Sequence, residues 1–174
     1  MLVLGTLALS AQSQKTPTYL APFVTSPIAV VERMLELANL KPGEVLYDLG
    51  SGDGRVLITA AQKYQAKAVG VELSERLVRL SQERIKQEGL DGKCSVIHGN
   101  MLDVDFSQAD VVTVYLMRDS NDILRPKLEA SLKPGARVVS HDFEIRGWKP
   151  VFVDKSDATK RAHAIYVYEA PKKK

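Results

Sequence analysis

Two carboxylates and three closely spaced glycines lie in neighbouring apolar stretches of the chain. The run Val45-Leu46-Tyr47-Asp48-Leu49 leads directly into Gly50-Ser51-Gly52-Asp53-Gly54, and a second run, Ala68-Val69-Gly70-Val71, stops at Glu72. Short apolar runs are typical of buried strands, and glycines at alternate positions let the next turn bring its backbone against a bound ligand. A carboxylate that ends the second strand lies where a ribose diol would bind. The pattern therefore predicts a nucleotide site.

The position of Asp48 separates two classes of nucleotide ligand. A dinucleotide pyrophosphate favours G-x-G-x-x-G at a helix N-terminus, whereas this chain has G-x-G-x-G with an acid just before it. That acid would repel a pyrophosphate, but it can accept hydrogen bonds from the aminoacyl part of S-adenosylmethionine (SAM). The pattern favours SAM over NAD. Asp53 is different, because a turn or helix-cap role suits it as well as ligand contact.

Apolar periodicity predicts alternating strands and helices. Ser26-Pro27 is typical of a helix cap followed by the first helical residue. Further helices are expected at about 55–64, 74–88 and 122–132, with Pro126 tolerable only near the first turn of the last one. Strands are expected at about 45–49, 67–72, 94–98, 110–116, 136–140, 151–153 and 163–168. The fold expected is an α/β three-layer sandwich, with a seven-stranded, mostly parallel Rossmann-like sheet and an antiparallel C-terminal hairpin.

Several polar residues follow the expected strands. In sheets of this kind, ligands bind beyond the carboxyl ends of the strands. The residues found at those ends are Asp48, Glu72, Asn100, Tyr115 and His141. The topology therefore predicts that these residues, distant in sequence, share one rim of the sheet.

Composition describes one globular domain. The 174 residues are 45% hydrophobic and 26% charged, and the formal net charge is +3. Basic residues are spread out apart from Lys172-Lys173-Lys174, which is not the clustered face of a nucleic-acid binder. The single cysteine, Cys94, lies in an apolar stretch and excludes internal disulfides and cysteine-rich metal sites. We expect a monomer with no metal site and no nucleic-acid partner.

The N-terminal region divides into an apolar segment at 1–11 and a polar, proline-containing arm at 12–25, ahead of the main domain at 26–174. The segment ends in small residues that a signal peptidase accepts, but no Lys or Arg precedes them. It is shorter than the roughly 20 residues that span a bilayer. The segment at 1–11 is therefore consistent with a signal remnant, a membrane tether or an irregular start of the chain. The expected cofactor, SAM, favours a cytoplasmic protein, which residues 1–11 could attach to a membrane. The same segment, read as a signal remnant, favours export.

These motifs together resemble the class I, seven-β-strand SAM-dependent methyltransferases, from about residue 17 to the end. Residues 48–54 are similar to that family's first motif, and Leu132-Lys133-Pro134-Gly135 is similar to the turn before its fifth strand. The resemblance implies that the first motif holds the methionine part and that Glu72 binds the ribose hydroxyls. Asn100 stands where many relatives have an aspartate that meets the adenine amino group, and an amide oxygen can still accept that hydrogen bond. The implied cofactor-binding residues are Asp48, Gly50, Ser51, Gly52, Gly54, Glu72, Asn100, Met101 and Tyr115.

A narrower resemblance concerns the acceptor. Residues 19–27 and 31–35, together with Val139-Ser140-His141-Asp142-Phe143 and Gly147-Trp148-Lys149-Pro150, are similar to small protein-lysine methyltransferases. These are the archaeal broad-specificity enzymes, the mitochondrial enzymes acting on ATP synthase c-subunit or adenine nucleotide translocase, and their bacterial relatives. The chain departs from them at Thr25, where proline is frequent. The resemblance implies transfer of a methyl group to a protein lysine.

Three residues are candidates for a role in catalysis. Methyl transfer is an in-line displacement, so the enzyme mainly positions and desolvates a neutral amine. Tyr115 is the candidate for shaping the acceptor pocket, although simple aromatic packing suits it equally. Asn121 could orient the amine or cap a helix, and His141 could line the acceptor channel or form a structural hydrogen bond. Residues 19–23 of the arm could close over the cofactor as a lid.

Other functions stay open on the sequence alone. The chain has no Asn-Pro-Pro-aromatic sequence of the kind that grips planar amino groups. Small-molecule N- or O-methylation remains an alternative, as does a SAM-binding module without catalysis. An NAD-dependent oxidoreductase is opposed by Asp48 and by the glycine spacing.

Overall fold

Strands and helices alternate along the chain in the order that the sequence predicts. The computed structural model describes residues 23–155 and 163–170. The helices are α1 (Ile28–Leu37), α2 (Arg55–Tyr64), α3 (Glu75–Gln87) and α4 (Arg118–Ser131). The strands are β1 (Val45–Leu49), β2 (Lys67–Glu72), β3 (Cys94–His98), β4 (Val111–Val114), β5 (Arg137–His141), β6 (Phe152–Asp154) and β7 (Ile165–Glu169).

All the strands of the described residues belong to one sheet with the order β3-β2-β1-β4-β5-β7-β6. The first five strands are parallel, and β7 lies antiparallel between β5 and β6. The predicted α/β fold, mostly parallel with antiparallel C-terminal strands, is confirmed. Because the strand order reverses between β1 and β4, a crevice opens at their carboxyl ends.

Alternate residues of the central strands pack into two cores on opposite faces of the sheet. Val111 and Val139 belong to the core beneath α1 and α2. Their neighbours Val112 and Val138 belong to the core beneath α4. Helices cover both faces, so all four residues of β4 are buried, as expected of a central strand in a parallel sheet. This rigid centre fixes the positions of the loops at the carboxyl ends of the strands.

The start of α1 differs from the prediction. The helix begins at Ile28, and the Pro27 carbonyl accepts hydrogen bonds from the N–H groups of Val30 and Val31, both at 3.0 Å. Ser26 was expected to cap the helix, but its hydroxyl lies 2.8 Å from Nδ1 of His141 instead. The Ser26 side chain, predicted from local sequence to cap the helix, therefore makes a long-range contact with His141 instead.

Two boundaries near the site were also predicted wrongly. Helix α4 begins at Arg118, so Pro126 lies inside the helix rather than in its first turn. Strand β4 stops at Val114, where its partners stop: Val114 is paired with Leu49, after which β1 turns into the glycine loop. Tyr115 consequently starts a loop rather than ending a strand.

The segment at 1–11 and the arm up to residue 22 lie outside the described residues. Within the part that is described, no helix has the length and apolar character needed to cross a membrane.

Candidate functional site

A cavity of about 260 Å³ opens at the carboxyl ends of β1, β2 and β4. Its floor is the loop at residues 50–54, which we call the glycine loop, and its sides are the loops after β2 and β3. Residues 23–26 and residues 114–116 complete the lining. The cavity lies at the switch point of the strand order, where α/β sheets bind their ligands.

The glycine loop needs glycine for two different reasons. Gly52 has a φ of +55°, and a Cβ built there would lie 2.6 Å from the Phe23 ring. Gly54 has a φ of +78°, and a Cβ there would lie 2.9 Å from Cβ of Ser81 in α3. Side chains at either position would meet both backbone strain and a close neighbour. The loop can therefore lie flat under the cavity, with the Phe23 ring packed directly on it.

Asp48 is a buried carboxylate at the cavity wall. It accepts a hydrogen bond of 2.7 Å from Oγ1 of Thr113, the residue opposite it on β4. Burial raises the pKa of the Asp48 carboxyl to about 7; the Thr113 hydrogen bond opposes this shift, and the charges of Glu72 and Asp53 add to it. A cationic ligand group beside Asp48 would restore its ionised form.

Glu72 connects the glycine loop to the end of β2. One carboxylate oxygen accepts from the backbone N–H of Gly52 at 2.9 Å, and the other accepts from the N–H of Ser74 at 2.8 Å. Each oxygen keeps a second lone pair for a further donor. Ser51 also lines the cavity, and its Oγ is buried with no hydrogen-bond partner in the protein. A site that leaves such groups unsatisfied fits a polar ligand.

The loop after β3 brings Asn100 and Met101 to the cavity. The side-chain oxygen of Asn100 accepts from the N–H of Leu102 at 3.0 Å, which shapes the turn. Cε of Met101 lies 3.6 Å from a Cβ built on Gly50, so the methionine faces the glycine loop across the cavity. Eight of the nine residues predicted to bind the cofactor line this one cavity. The exception is Gly54, which packs against Ser81 of α3 instead.

Asp53 lies at the cavity edge but is occupied by two arginines. Its carboxylate pairs with Arg55 at 2.8 Å and with Arg84 at 2.6 Å. Burial alone would raise the pKa of Asp53, but Arg55 and then Arg84 outweigh burial and lower it. Arg55 also donates to the backbone oxygen of Ser26 at 2.7 Å, which ties residues 23–26 to the glycine loop. Arg84 was not anticipated, because nothing in its local sequence pairs it with residue 53.

Of the three catalytic candidates, only Tyr115 lines the cavity. Its hydroxyl donates to the Asp142 carboxylate at 3.1 Å, and its ring lies on His141 with centroids 4.0 Å apart. Burial, followed by the charge of Asp142, raises the pKa of Tyr115. The hydroxyl is therefore neutral at physiological pH and acts as a hydrogen-bond donor rather than a base.

The structure places His141 and Asn121 outside the cavity lining. His141 is fully buried behind Tyr115, with Nδ1 facing Ser26 and Nε2 lying 3.0 Å from Nδ1 of His163. Burial lowers the pKa of His141 to about 4, with His163 adding to the shift and Asp142 opposing it. Asn121 neither caps a helix nor reaches the cavity. Its amide donates to the backbone oxygens of residues 143 and 144 and holds that loop against α4.

Comparison with known proteins identifies the family. The model of the ANTKMT methyltransferase domain matches residues 48–152, a range that includes both acids and the glycine loop. The chain belongs to this methyltransferase family. It is a SAM-dependent methyltransferase, which confirms the enzyme class and the cofactor predicted from Asp48 and the glycine spacing.

Relatives of this methyltransferase act on more than one class of acceptor. A protein-lysine N-methyltransferase of Saccharolobus islandicus is 47% identical over 84% of this chain and 92% of that protein. The mouse adenine nucleotide translocase lysine N-methyltransferase is 34% identical over 84% of this chain, but the match spans only 63% of the mouse protein. A crystal structure of an RNA methyltransferase from Salinibacter ruber, with S-adenosyl-L-homocysteine bound, is 39% identical. Its TM-score is 0.82, covering 86% of this chain and 95% of that one.

Proposed function

We propose that this methyltransferase transfers the methyl group of SAM to the side-chain amine of a protein lysine. The observation that supports this most is the 47% identity, over 92% of its length, to a protein with that activity in its name. The geometry supports it as well, because the cavity ends at Tyr115, whose hydroxyl is paired with a carboxylate. A carboxylate beside the cavity suits an acceptor that arrives as a cation.

In this proposal, different cavity residues bind different parts of the cofactor. We assign Asp48 to the ammonium group of the methionine part and Glu72, through its free lone pairs, to the ribose hydroxyls. Gly50, Ser51 and Gly52 bring the backbone against the ligand, and Gly54 lets the same loop pack on Ser81. Asn100 and Met101 form the wall for the adenine. SAM supplies a methyl group on a positively charged sulfur.

The remaining lining residues position the acceptor and exclude water. Phe23 lies on Gly52 and, with Val24, forms the apolar side of the cavity. Tyr115 separates this cavity from the His141 side of the rim. In-line displacement needs alignment and desolvation rather than covalent help. Residues 23–25, the described end of the arm, line the cavity and contribute to this desolvation.

The proposal extends to the whole chain in three respects. Residues 1–11 act as a tether or signal remnant, residues 12–25 act as the covering arm, and the domain at 26–174 works as a monomer. The use of SAM favours a cytoplasmic location. Fractionation of cells that express the full chain tests the tether, since deletion of 1–11 should move protein from the membrane fraction to the supernatant.

The first experiment incubates the purified protein with tritiated-methyl SAM and a cell extract. We expect label on lysines of one or a few proteins, identified by mass spectrometry, and no label with the Asp48→Ala variant. Label in RNA would transfer the activity named for the Salinibacter ruber protein to this chain. Label confined to small molecules would favour a small-molecule acceptor, and SAM binding without any label would favour a binding module.

A further inference from the structure

Tyr115, His141, Asp142 and His163 form a side-chain group beside the cavity, which we call the Asp142 cluster. Nδ1 of His163 lies 3.2 Å from both carboxylate oxygens of Asp142. The Tyr115 hydroxyl and the N–H of Ala164 each donate to Asp142 at 3.1 Å. Asp142 has a φ of +60°, in the left-handed region that Asp and Asn tolerate better than most side chains. The backbone thus holds this carboxylate in one direction.

The charge environment of Asp142 differs from that of four other aspartates of the described residues. Asp53, Asp110, Asp122 and Asp154 each form an ion pair with an arginine or lysine. Over residues 23–155 and 163–170, the recorded ion-pair contacts of Asp142 are with His141 and His163 alone. The buried His141 stays neutral because burial lowers its pKa to about 4. Asp142 is ionised, since its hydrogen bonds and His141 lower its pKa against the effect of burial.

The cluster runs from the cavity to the surface. Tyr115 lines the cavity, and the side chains of Asp142 and His163 are 22% and 17% exposed. His141 lies beneath them with no exposed surface. An ammonium group entering beside Tyr115 can therefore reach the Asp142 carboxylate, and His163, in contact with that carboxylate, also has surface exposed to water.

We propose that Asp142 and the Tyr115 hydroxyl bind the ammonium group of the acceptor, a primary alkylamine such as lysine, and that His163 passes its proton to water. This proposal rests on the proposed function and names the acceptor subsite. An imidazole can accept a proton at one ring nitrogen and release one at the other. Asp142 is the binding group, because a carboxylate whose pKa is lowered holds a cation better than it removes a proton.

The chemistry balances with water as the final base. One N–H bond of the ammonium group breaks, and the proton goes through His163 to water. The freed lone pair forms the N–C bond to the methyl group, and the electron pair of the breaking S–C bond stays on sulfur. The product amine carries the positive charge that sulfur lost.

A binding measurement tests the subsite without turnover. The full-length protein is saturated with S-adenosylhomocysteine and titrated with butylammonium chloride, and the imidazole resonances of its three histidines are followed by NMR. We expect His141 and His163 to respond and His98 to stay unchanged. Asp142→Asn keeps the shape and tolerates the backbone angle, yet it should weaken the response about tenfold or more, because it removes an ionic hydrogen bond. The exposed Asp105→Asn is the matched control and should respond as the wild type does.

Kinetics with poly-L-lysine as acceptor separates the roles of the two residues. Asp142→Asn should raise KM for the acceptor and leave SAM affinity within about twofold. His163→Gln should lower kcat about tenfold or more near pH 7. That loss should shrink towards about pH 10, where free lysine loses its own proton. The titratable groups facing Asp142 and His163 in the described residues are Tyr115 and His141. Measuring kcat against pH for Tyr115→Phe shows whether the tyrosine contributes to the pH dependence.

Four results would overturn the proposal. They are an unchanged butylammonium response in Asp142→Asn, an unchanged KM in that variant, a His163→Gln loss that does not vary with pH, and stoichiometric Co²⁺ binding that Asp142→Asn abolishes. The last result would assign the two imidazoles and the carboxylate to a metal. Failure of the proposed function looks different, because butylammonium would bind normally while the extract showed no labelled lysine. If Asp142→Asn did not fold, His163→Gln and the wild-type titration would still decide.

Discussion

The rim of the sheet has two halves that are built differently. In the half formed by β1, β2 and β3, each key group lies at or just beyond the carboxyl end of its strand, and Glu72 is held by backbone N–H groups at positions 52 and 74. In the half formed by β4, β5 and β7, the groups hold one another through side chains far apart in sequence, such as Ser26 and His141. In our proposal, the first half binds the cofactor, and backbone N–H groups fix its geometry. The second half depends on pairs of side chains, so single substitutions can adapt it to a new acceptor.

The halves also differ in how their acids are neutralised. Asp48 and Glu72 line the cavity, and Asp142 lies beside it, bonded to Tyr115. Within residues 23–155 and 163–170, the contacts found for these three acids include no arginine or lysine. Asp48 is fully desolvated and its pKa is raised to about 7, whereas hydrogen bonds to partly exposed Asp142 lower its pKa. Asp48 is thus about half ionised near pH 7 until a cationic group binds beside it, whereas Asp142 is ionised beforehand.

The largest effect should come from the cofactor half, at Gly52. Gly52→Ala introduces a Cβ 2.6 Å from the Phe23 ring at a φ of +55°. We expect SAM affinity, measured by calorimetry, to fall about hundredfold, because backbone strain adds to displacement of the half-exposed Phe23 ring from the loop. Gly92→Ala is the control, since a Cβ there meets nothing within 4 Å and its φ is not positive. Affinity within a few-fold of wild type would show that the loop adapts and that the contrast between the halves is overstated.

Replacing Asp48 tests whether charge or shape holds the methionine part. Asp48→Asn keeps the volume and removes the charge, so SAM affinity should fall about tenfold to hundredfold, the value of a hydrogen bond to a charged group. Wild-type affinity should rise with pH up to about 7 as Asp48 ionises, and the variant should lose that rise. An equal pH dependence in both proteins would mean that another group titrates.

The stability of the ligand-free protein should also depend on the ionisation of the Asp48 carboxyl. The pKa of Asp48 in the folded protein, about 7, lies above the ordinary aspartate value of 3.8, so the folded state binds an extra proton between these two pH values. Its contribution to stability is present below about pH 4 and is lost as pH rises to about 7. His141, whose pKa is lowered to about 4, contributes the opposite slope over much of the same range, so the comparison of wild type with variant isolates Asp48. Urea denaturation should show a free energy of unfolding that rises more steeply with pH, between about 4 and 7, in Asp48→Asn than in the wild type, and equal slopes would contradict the assignment.

The difference between the halves explains what the sequence could predict. Asp48, the glycines and Glu72 are connected by short sequence distances and by the register of neighbouring strands, so a local pattern predicts both their roles and the fold. The hydrogen bond between Ser26 and His141 spans 115 positions, and strand β6 separates His163 from His141 in the sequence. Local spacing cannot indicate such pairs. Ser26 was therefore assigned to a helix cap that tertiary contact overrides.

The early start of α4 was missed for a related reason. Its first turns bury Ser120 and Asn121 instead of apolar residues, so the hydrophobic period begins only at Leu124. The Asn121 amide satisfies backbone oxygens of the loop after β5, which a periodicity argument does not detect. Pro126 then lies inside the helix and removes one backbone hydrogen bond. The acceptor half is built on this helix, which is why sequence predicted it less well.

A smaller effect is expected in the acceptor half, at Tyr115. Tyr115→Phe removes the hydroxyl that donates to Asp142 at 3.1 Å but keeps the ring against His141. KM for a lysine acceptor should rise about fivefold, equivalent to one hydrogen bond of roughly 1 kcal/mol. SAM affinity should stay within about twofold if the halves are independent. A parallel loss of SAM affinity would show that the tyrosine hydroxyl also holds the cofactor and joins the two halves.

The smallest effect should come from Arg84, which pairs with Asp53 of the glycine loop. The loop is also joined, through Arg55, to residues 23–26, which we call the covering segment. Arg84 is about one-third exposed and is one of two arginines that pair with Asp53. Arg84→Met keeps the aliphatic stem, and the loss of a partly exposed ion pair predicts only about a twofold faster release of SAM. Arg55→Met should give a larger change, because Arg55 also binds the backbone oxygen of Ser26. Stopped-flow release rates in the reverse order would mean that the loop, and not the covering segment, controls exit of the cofactor.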